Sequence, residues 1–272
     1  MIRLALRVRR EDAELVLAEL LELAPSGVEE VDVSGEVVEY AVYGPPGELP
    51  SLPDLRVAAG PALVEVSTSE VADDWAERWR DFHRPLVLGE RLGVRPPWSV
   101  ATGCAVDLVI DPGRAFGTGA HATTRLCLEL LLELTPAGGA VDLGCGSGVL
   151  AIAASALGWE PVLALDYDPL ALAAAAENAR VNGASIEVRR HDLRYTVVPG
   201  AALVLANLLG PLLLMWCDQL SRLGGSQRPG SVIASGLLVE EGDSVSAAFA
   251  SAGLRERERR TSGEWAALLL TR

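Results

Sequence analysis

Between Ala140 and Leu157 an apolar strand runs into Asp142-Leu-Gly144-Cys-Gly146-Ser-Gly148, which opens an apolar helix. Glycines at these positions permit a tight turn. They also leave bare backbone N–H groups at a helix N-terminus, where a ligand can approach closely. The spacing is G-x-G-x-G followed by Val149 and Leu150, so it departs from the dinucleotide fingerprint G-x-G-x-x-G. Asp142 precedes the glycines; a carboxylate there repels a pyrophosphate and suits a cationic sulfonium or an ammonium group.

From Thr118 onward the chain shows the α/β alternation to which such a turn belongs. Helical spacing covers 123–134, 149–157, 169–182, 211–223 and 240–252. Apolar strands fall at 140–143, 162–165, 186–188, 202–206 and 231–235, with a last pair near 254–259 and 265–270. Alternation ending in a strand pair describes an open, doubly wound, Rossmann-like sheet. The first 68 residues differ. Ile2 to Val8 alternates like a strand, and Glu11 to Leu23 has helical spacing. Val28 to Val33 and Val37 to Val42 are two strands joined at Ser34-Gly-Glu36. Gly44 to Pro53 is a Pro-rich loop, and Ala62 to Val66 another short strand. That order predicts a small α+β, ferredoxin-like module over 1–68. A linker helix over 69–84 follows, capped by Ser69 and carrying Trp75 and Trp79 on one face. Strands at 84–98 and 105–110 lead into the large domain, 85–272.

The net charge of −14 disfavours DNA and steers the chain toward basic partners. All its basic side chains apart from the histidines are arginines. No signal peptide or membrane span is expected, nor any metal site, because Cys104, Cys127, Cys145 and Cys217 are scattered. Buried thiols in a reducing cytoplasm fit that pattern, and the expected state is a cytoplasmic monomer.

Four more segments carry candidate chemistry. Asp166-Tyr-Asp168-Pro169 ends the strand after the glycine turn, where an acid accepts hydrogen bonds from ribose hydroxyls. Asp166 comes directly off the strand; Asp168 is placed to cap the helix that Pro169 begins. Asp192, after His191, is either an acceptor for an adenine amino group or part of a surface turn. Asn207, in Ala206-Asn-Leu-Leu209, lies at a strand end that would line the ligand crevice. Asp111-Pro-Gly-Arg-Ala-Phe-Gly-Thr-Gly-Ala-His121-Ala-Thr-Thr124 is a Gly-rich loop running into a helix, with His121 as a possible site residue.

These segments, together with Ser235-Gly-Leu237, occur in the order found in the bacterial methyltransferases of ribosomal protein L-eleven (large-subunit protein eleven), which this chain resembles over about residues 70 to 270. Asp111 to Leu128 is the specific segment, since the glycine turn is shared with many class I methyltransferases. The resemblance implies a class I methyltransferase domain with S-adenosyl-L-methionine as cofactor. It also implies a small N-terminal domain that recognises the ribosomal protein. Carried over by position, Thr124, Gly144, Asp166 and Asn207 contact the cofactor, and Gly146 and Asp192 join them on the reading above. Asn207 and His121 are the catalytic candidates. The implied products are methylated lysine ε-amines and an N-terminal α-amine.

Competing readings remain. Release-factor glutamine methyltransferases carry Asn-Pro-Pro-Tyr where this chain has Asn207-Leu-Leu-Gly210, which argues against a planar amide substrate. Another protein or a small-molecule amine is the alternative acceptor. A nicotinamide dehydrogenase would need a better fingerprint.

Overall fold

The alternation from Ile2 becomes strand β1 (Ile2–Arg9), an inner strand of a four-stranded antiparallel sheet. Its neighbours are β2 (Glu29–Ser34), β3 (Val37–Gly44) and β4 (Leu63–Glu70), in the order β2-β3-β1-β4. Leu4, Leu6 and Val8 face a core shared with the helical residues Val16, Leu20, Leu55 and Ala59. Arg3 and Arg7 face the other way and pair with Glu39 at 2.6 and 2.8 Å. Two guanidiniums hold that carboxyl below the usual carboxylate range. The strand order, with helical residues on one face, is ferredoxin-like.

In this computed structural model residues 2–13, 16–17, 20, 28–34, 36–44, 49–50, 55, 59–70, 84–111, 121–224 and 228–272 are described. The chain divides into two compact units, Met1–Phe82 and His83–Arg272. Three expectations change. Ser69 is no helix cap: it lies in β4, paired with Arg3 of β1. The rest of that linker helix, with Trp75 and Trp79, falls outside the described residues, as does 112–120. Helical residues at Leu55 and Ala59 follow the Pro-rich segment. The single strand expected over 84–98 is a hairpin, β5 (Leu86–Leu88) and β6 (Leu92–Arg95), turning at Gly89-Glu-Arg91. A glycine followed by two charged residues interrupts the apolar run, so the strand reverses there.

β6 pairs in parallel with β7 (Val106–Val109) to complete a three-stranded sheet. The remaining elements alternate: α1 (Ala122–Leu132), β8 (Ala140–Leu143), α2 (Val149–Ala156), β9 (Val162–Asp166), α3 (Pro169–Asn182), β10 (Ile186–Arg190) and β11 (Leu203–Asn207). They continue with α4 (Gly210–Ser221), β12 (Ser231–Leu238), α5 (Gly242–Ser251), β13 (Arg255–Ser262) and β14 (Trp265–Thr271). The seven-stranded sheet runs β10-β9-β8-β11-β12-β14-β13, with β14 antiparallel to both neighbours.

Period-two alternation in β11 shows how the sheet separates two cores. Leu203 and Leu205 pack with α1, α2 and α3, while Val204 and Ala206 pack with α4 and α5. On the second side Trp216 meets Phe249 edge to face, centroids 5.6 Å apart. Truncating a buried ring of this kind to Ala costs roughly 3–5 kcal/mol. The sheet is therefore covered on both faces, and only its strand ends are left to bind a ligand.

Candidate active site

Strands β8, β9 and β10 wind to one side of the sheet and β11 and β12 to the other, so the order reverses between β8 and β11. The C-terminal ends of strands at such a reversal frame a crevice. Two turns meet there: Gly144 to Gly148 after β8, and Asn207 to Leu209 after β11.

The glycine turn is tied down by the next βα unit. Gly144 and Cys145 donate their N–H groups to the Leu165 carbonyl at 2.8 and 2.9 Å. Gly146 N donates to Asp166 Oδ2 at 3.0 Å. The Ser147 carbonyl accepts from Asn178 Nδ2 at 2.9 Å. Gly144 has φ of +74°, and a Cβ there would lie 2.4 Å from Leu208 Cδ2. The positive φ is what calls for glycine here, since the Leu208 methyl could swing aside.

Asp142 is only 1 % exposed, and its Oδ2 accepts from Ala151 N at 2.9 Å in the first turn of α2. Burial pushes this carboxyl up to about 7; the nearby charge of Asp166 adds to that, and the Ala151 N–H opposes it. Asp142 thus anchors α2 through Oδ2, while its buried Oδ1 has no partner among the described residues. Cys145, in the same turn, is buried, and burial pushes its thiol up, away from reactivity.

Asp166 is half-buried, and each carboxylate oxygen holds one backbone N–H: Gly146 at 3.0 Å and Asp168 at 3.1 Å. A carboxylate accepts about four hydrogen bonds, so capacity remains for a diol. Asp168 caps α3 by accepting from Leu170 N at 2.9 Å. Asp192 is placed differently. Arg194 donates to it from Nε at 2.9 Å and from Nη2 at 2.7 Å, holding its carboxyl down at about 2. An adenine amino group would share that carboxylate with Arg194, whose guanidinium lies over the rings of Tyr167 and Tyr195.

Thr124 and Asn207, far apart in sequence, are brought together: Asn207 Nδ2 donates to the buried Thr124 Oγ1 at 3.3 Å. Asn207 Oδ1 is buried and has no partner among the described residues. Such an acceptor is costly unless a ligand completes it. The following residues are pressed close: a Cβ on Gly236, whose φ is +82°, would lie 2.6 Å from the Leu208 carbonyl oxygen. Ser235-Gly-Leu237 is thus a bulge that lets β12 pass the second turn. His121 caps α1: its Nδ1 accepts from Thr123 N at 3.4 Å and lies 2.8 Å from Thr123 Oγ1. Its ring meets Trp265 edge to face at 5.0 Å, and burial pushes its pKa down. Among the described residues no group of His, Cys, Asp and Glu is arranged for a metal ion, and no helix is long and apolar enough to cross a membrane.

Comparison with known proteins gives this crevice its context. The family model described as ribosomal protein L11 methyltransferase (PrmA) matches residues 55–272. The chain belongs to this family. A ribosomal protein L11 methyltransferase of Pelotomaculum thermopropionicum is 43% identical over 220 residues, covering 78% of this chain and 70% of the relative. One from Geobacter metallireducens is 42% identical over 215 residues, with the same coverage. The crystal structure of ribosomal protein L11 methylase from Lactobacillus delbrueckii subsp. bulgaricus superposes with a TM-score of 0.61 at 30% identity, covering 70% of this chain and 99% of that one.

As a family member the chain is a methyltransferase dependent on S-adenosyl-L-methionine. The crevice fits that cofactor. Asp166 has acceptor capacity for ribose hydroxyls, and Asn207 offers a buried acceptor that nothing in the described protein fills. Sequence reasoning missed Asn178, Arg194 and Trp265. Asn178 was findable: it lies four residues before Asn182, a polar pair at one-turn spacing in an Ala-rich helix.

Proposed function

We propose that this enzyme methylates ribosomal protein L11 on lysine ε-amines and on the N-terminal α-amine. The family membership supports L11 as the target, and the observation that supports an amine acceptor is the buried Asn207 Oδ1, which no described residue fills. An amine N–H can donate to that oxygen. The absence of the Pro-Pro-Tyr that clamps a planar amide fits the same reading.

When bound, S-adenosyl-L-methionine supplies a methyl group already activated on a sulfonium. Thr124, Gly144, Gly146, Asp166, Asp192 and Asn207 are the proposed cofactor contacts, with Asp166 orienting the ribose. Asn207 also aims the acceptor nitrogen, through its side chain or its backbone carbonyl. With an activated donor, the protein's work is alignment and exclusion of water. The attacking amine must be neutral, and a free lysine titrates near 10.4, so it loses a proton before or during attack. His121 is the proposed acceptor for that proton. Burial favours its neutral form, the state able to take a proton. His121→Ala should slow turnover and change its pH profile; an unchanged profile removes the role.

The small N-terminal module, through the end of β4 at Glu70, is proposed to recognise the ribosomal protein, with the residues after it to 84 as a linker and 85–272 as the catalytic domain. The enzyme is taken to act as a cytoplasmic monomer with no DNA partner. Its charge of −14 favours encounter with a basic target. The test is incubation with labelled cofactor and a purified ribosomal protein mixture. Label on L11 is the expected result; label on a different protein or on RNA would replace the assignment.

A further inference from the structure

Asn178 is the least expected buried side chain near the glycine turn. It lies mid-way along α3, is 3 % exposed, and uses both halves of its amide. Nδ2 donates to the Ser147 carbonyl at 2.9 Å, and Oδ1 accepts from Asp111 N at 3.0 Å. One side chain therefore joins the glycine turn to Asp111, two residues past the end of β7. Asn182, one turn further along α3, does a different task. It accepts from Val109 N at 2.8 Å and donates to Val109 O at 2.7 Å, completing the edge of β7 without touching the turn.

We infer that Asn178 is a positioning residue for the methyl donor, acting by locking the Ser147–Gly148 peptide of the glycine turn. That peptide has two handles. Its N–H, on Gly148, donates to the Cys145 carbonyl at 2.8 Å, and its carbonyl is held by Asn178. A peptide unit that precedes glycine can flip at low steric cost, because glycine accepts either sign of φ. Gly148 already sits at +81° and forms the N-cap of α2. Without a fixed donor on the Ser147 carbonyl, the turn has a second conformation available, and the backbone that lines the cofactor crevice is no longer pre-set. The donor and the acceptor must sit on one neutral side chain. An aspartate here keeps the acceptor for Asp111 N but sets a carboxylate against the Ser147 carbonyl. A serine is too short to span both.

The inference rests on cofactor binding, so its test needs no assumption about the methyl acceptor. Asn178→Asp and Asn178→Ser are compared with Asn182→Ala and the native enzyme. The readouts are thermal midpoint and S-adenosylhomocysteine affinity by calorimetry, with kcat at saturating cofactor measured on L11. The expected result is a rise in Kd for the Asn178 variants at least about fivefold larger than for Asn182→Ala, with kcat at saturating cofactor falling by less than about threefold. A smaller Kd difference, or a loss expressed in kcat with Kd unchanged, would overturn it. Failure of both Asn178 variants to fold would overturn it too, because the residue would then be holding the fold rather than the turn. If L11 accepts no methyl group, the affinity comparison still decides the matter while the substrate reading fails separately.

Discussion

The turn after β8 and the turn after β11 meet at one crevice, and they are built in opposite ways. After β8, the N–H groups of Gly144, Cys145, Gly146 and Gly148 and the carbonyl of Ser147 have partners inside the protein. Most of those partners come from a single neighbouring unit, β9–α3. After β11, Asn207 keeps a buried oxygen with no partner among the described residues, and Leu209 is 64 % exposed. The difference teaches a division of labour. The cofactor side is preassembled, so binding costs little ordering there. On the proposed assignment, the side carrying Asn207 has hydrogen-bonding capacity that no described residue fills and that a methyl acceptor would complete, the place where such acceptors are told apart.

The sharpest way to break this comparison is to remove the centre of the preassembled half. Asp166→Ala takes away the acceptors for Gly146 N and Asp168 N together with the proposed ribose contact. Cofactor affinity measured by calorimetry should fall by about 100-fold, the scale of one or two lost charge-assisted hydrogen bonds. Asn207→Ala attacks the other half. It should lower kcat by about 30-fold and, because Asn207 is also a proposed cofactor contact, weaken cofactor binding by a smaller factor of about fivefold, read from steady-state kinetics beside calorimetry. A variant with full activity would show that Asn207 is only a strand-end residue.

Gly236→Ala perturbs the second turn from outside. A Cβ 2.6 Å from the Leu208 carbonyl, at a φ of +82°, forces the bulge or the turn to move. The expected cost is about 2 kcal/mol, seen as a lower thermal midpoint. The last prediction concerns Asp142. Its folded pKa is about 7, above the unfolded value, so the native state binds the extra proton between the two. Its contribution to stability is therefore greatest at low pH and is lost as pH rises toward 7. Asp142→Asn cannot ionise, so its thermal midpoint relative to the native enzyme should improve as pH is raised from 4 to 7. A pH-independent difference would show that Asp142 is charged throughout.

Much of the large domain was legible because its signals are local. Pro169 to Asn182 has the expected bounds, with Asp168 as N-cap and Pro169 at the first helical position. The strands of the parallel sheet are short apolar runs between turn residues, and their ends differ from expectation by only a few residues. The hairpin at 86–95 was missed because a charged turn inside an apolar stretch resembles a solvent-facing patch of one strand. Ser69 looked like a cap because Ser followed by acids is a helix-start pattern, yet pairing with β1 decided its fate. At the site, Asp166 and Asn207 were legible from their positions at strand ends. The burial of Asp142 was not, nor were the partners that Asn178 clasps, although the spacing of Asn178 and Asn182 marked that helix face as polar. Both depend on what packs against a residue across the sheet, which spacing along the chain does not encode.

The most direct test of a preassembled cofactor half is calorimetric titration of S-adenosylhomocysteine into the enzyme alone, repeated with L11 present. Saturable one-to-one binding without any acceptor, with Kd changing by less than about threefold when L11 is added, is the predicted result. Cofactor binding that appears only when L11 is present would contradict it.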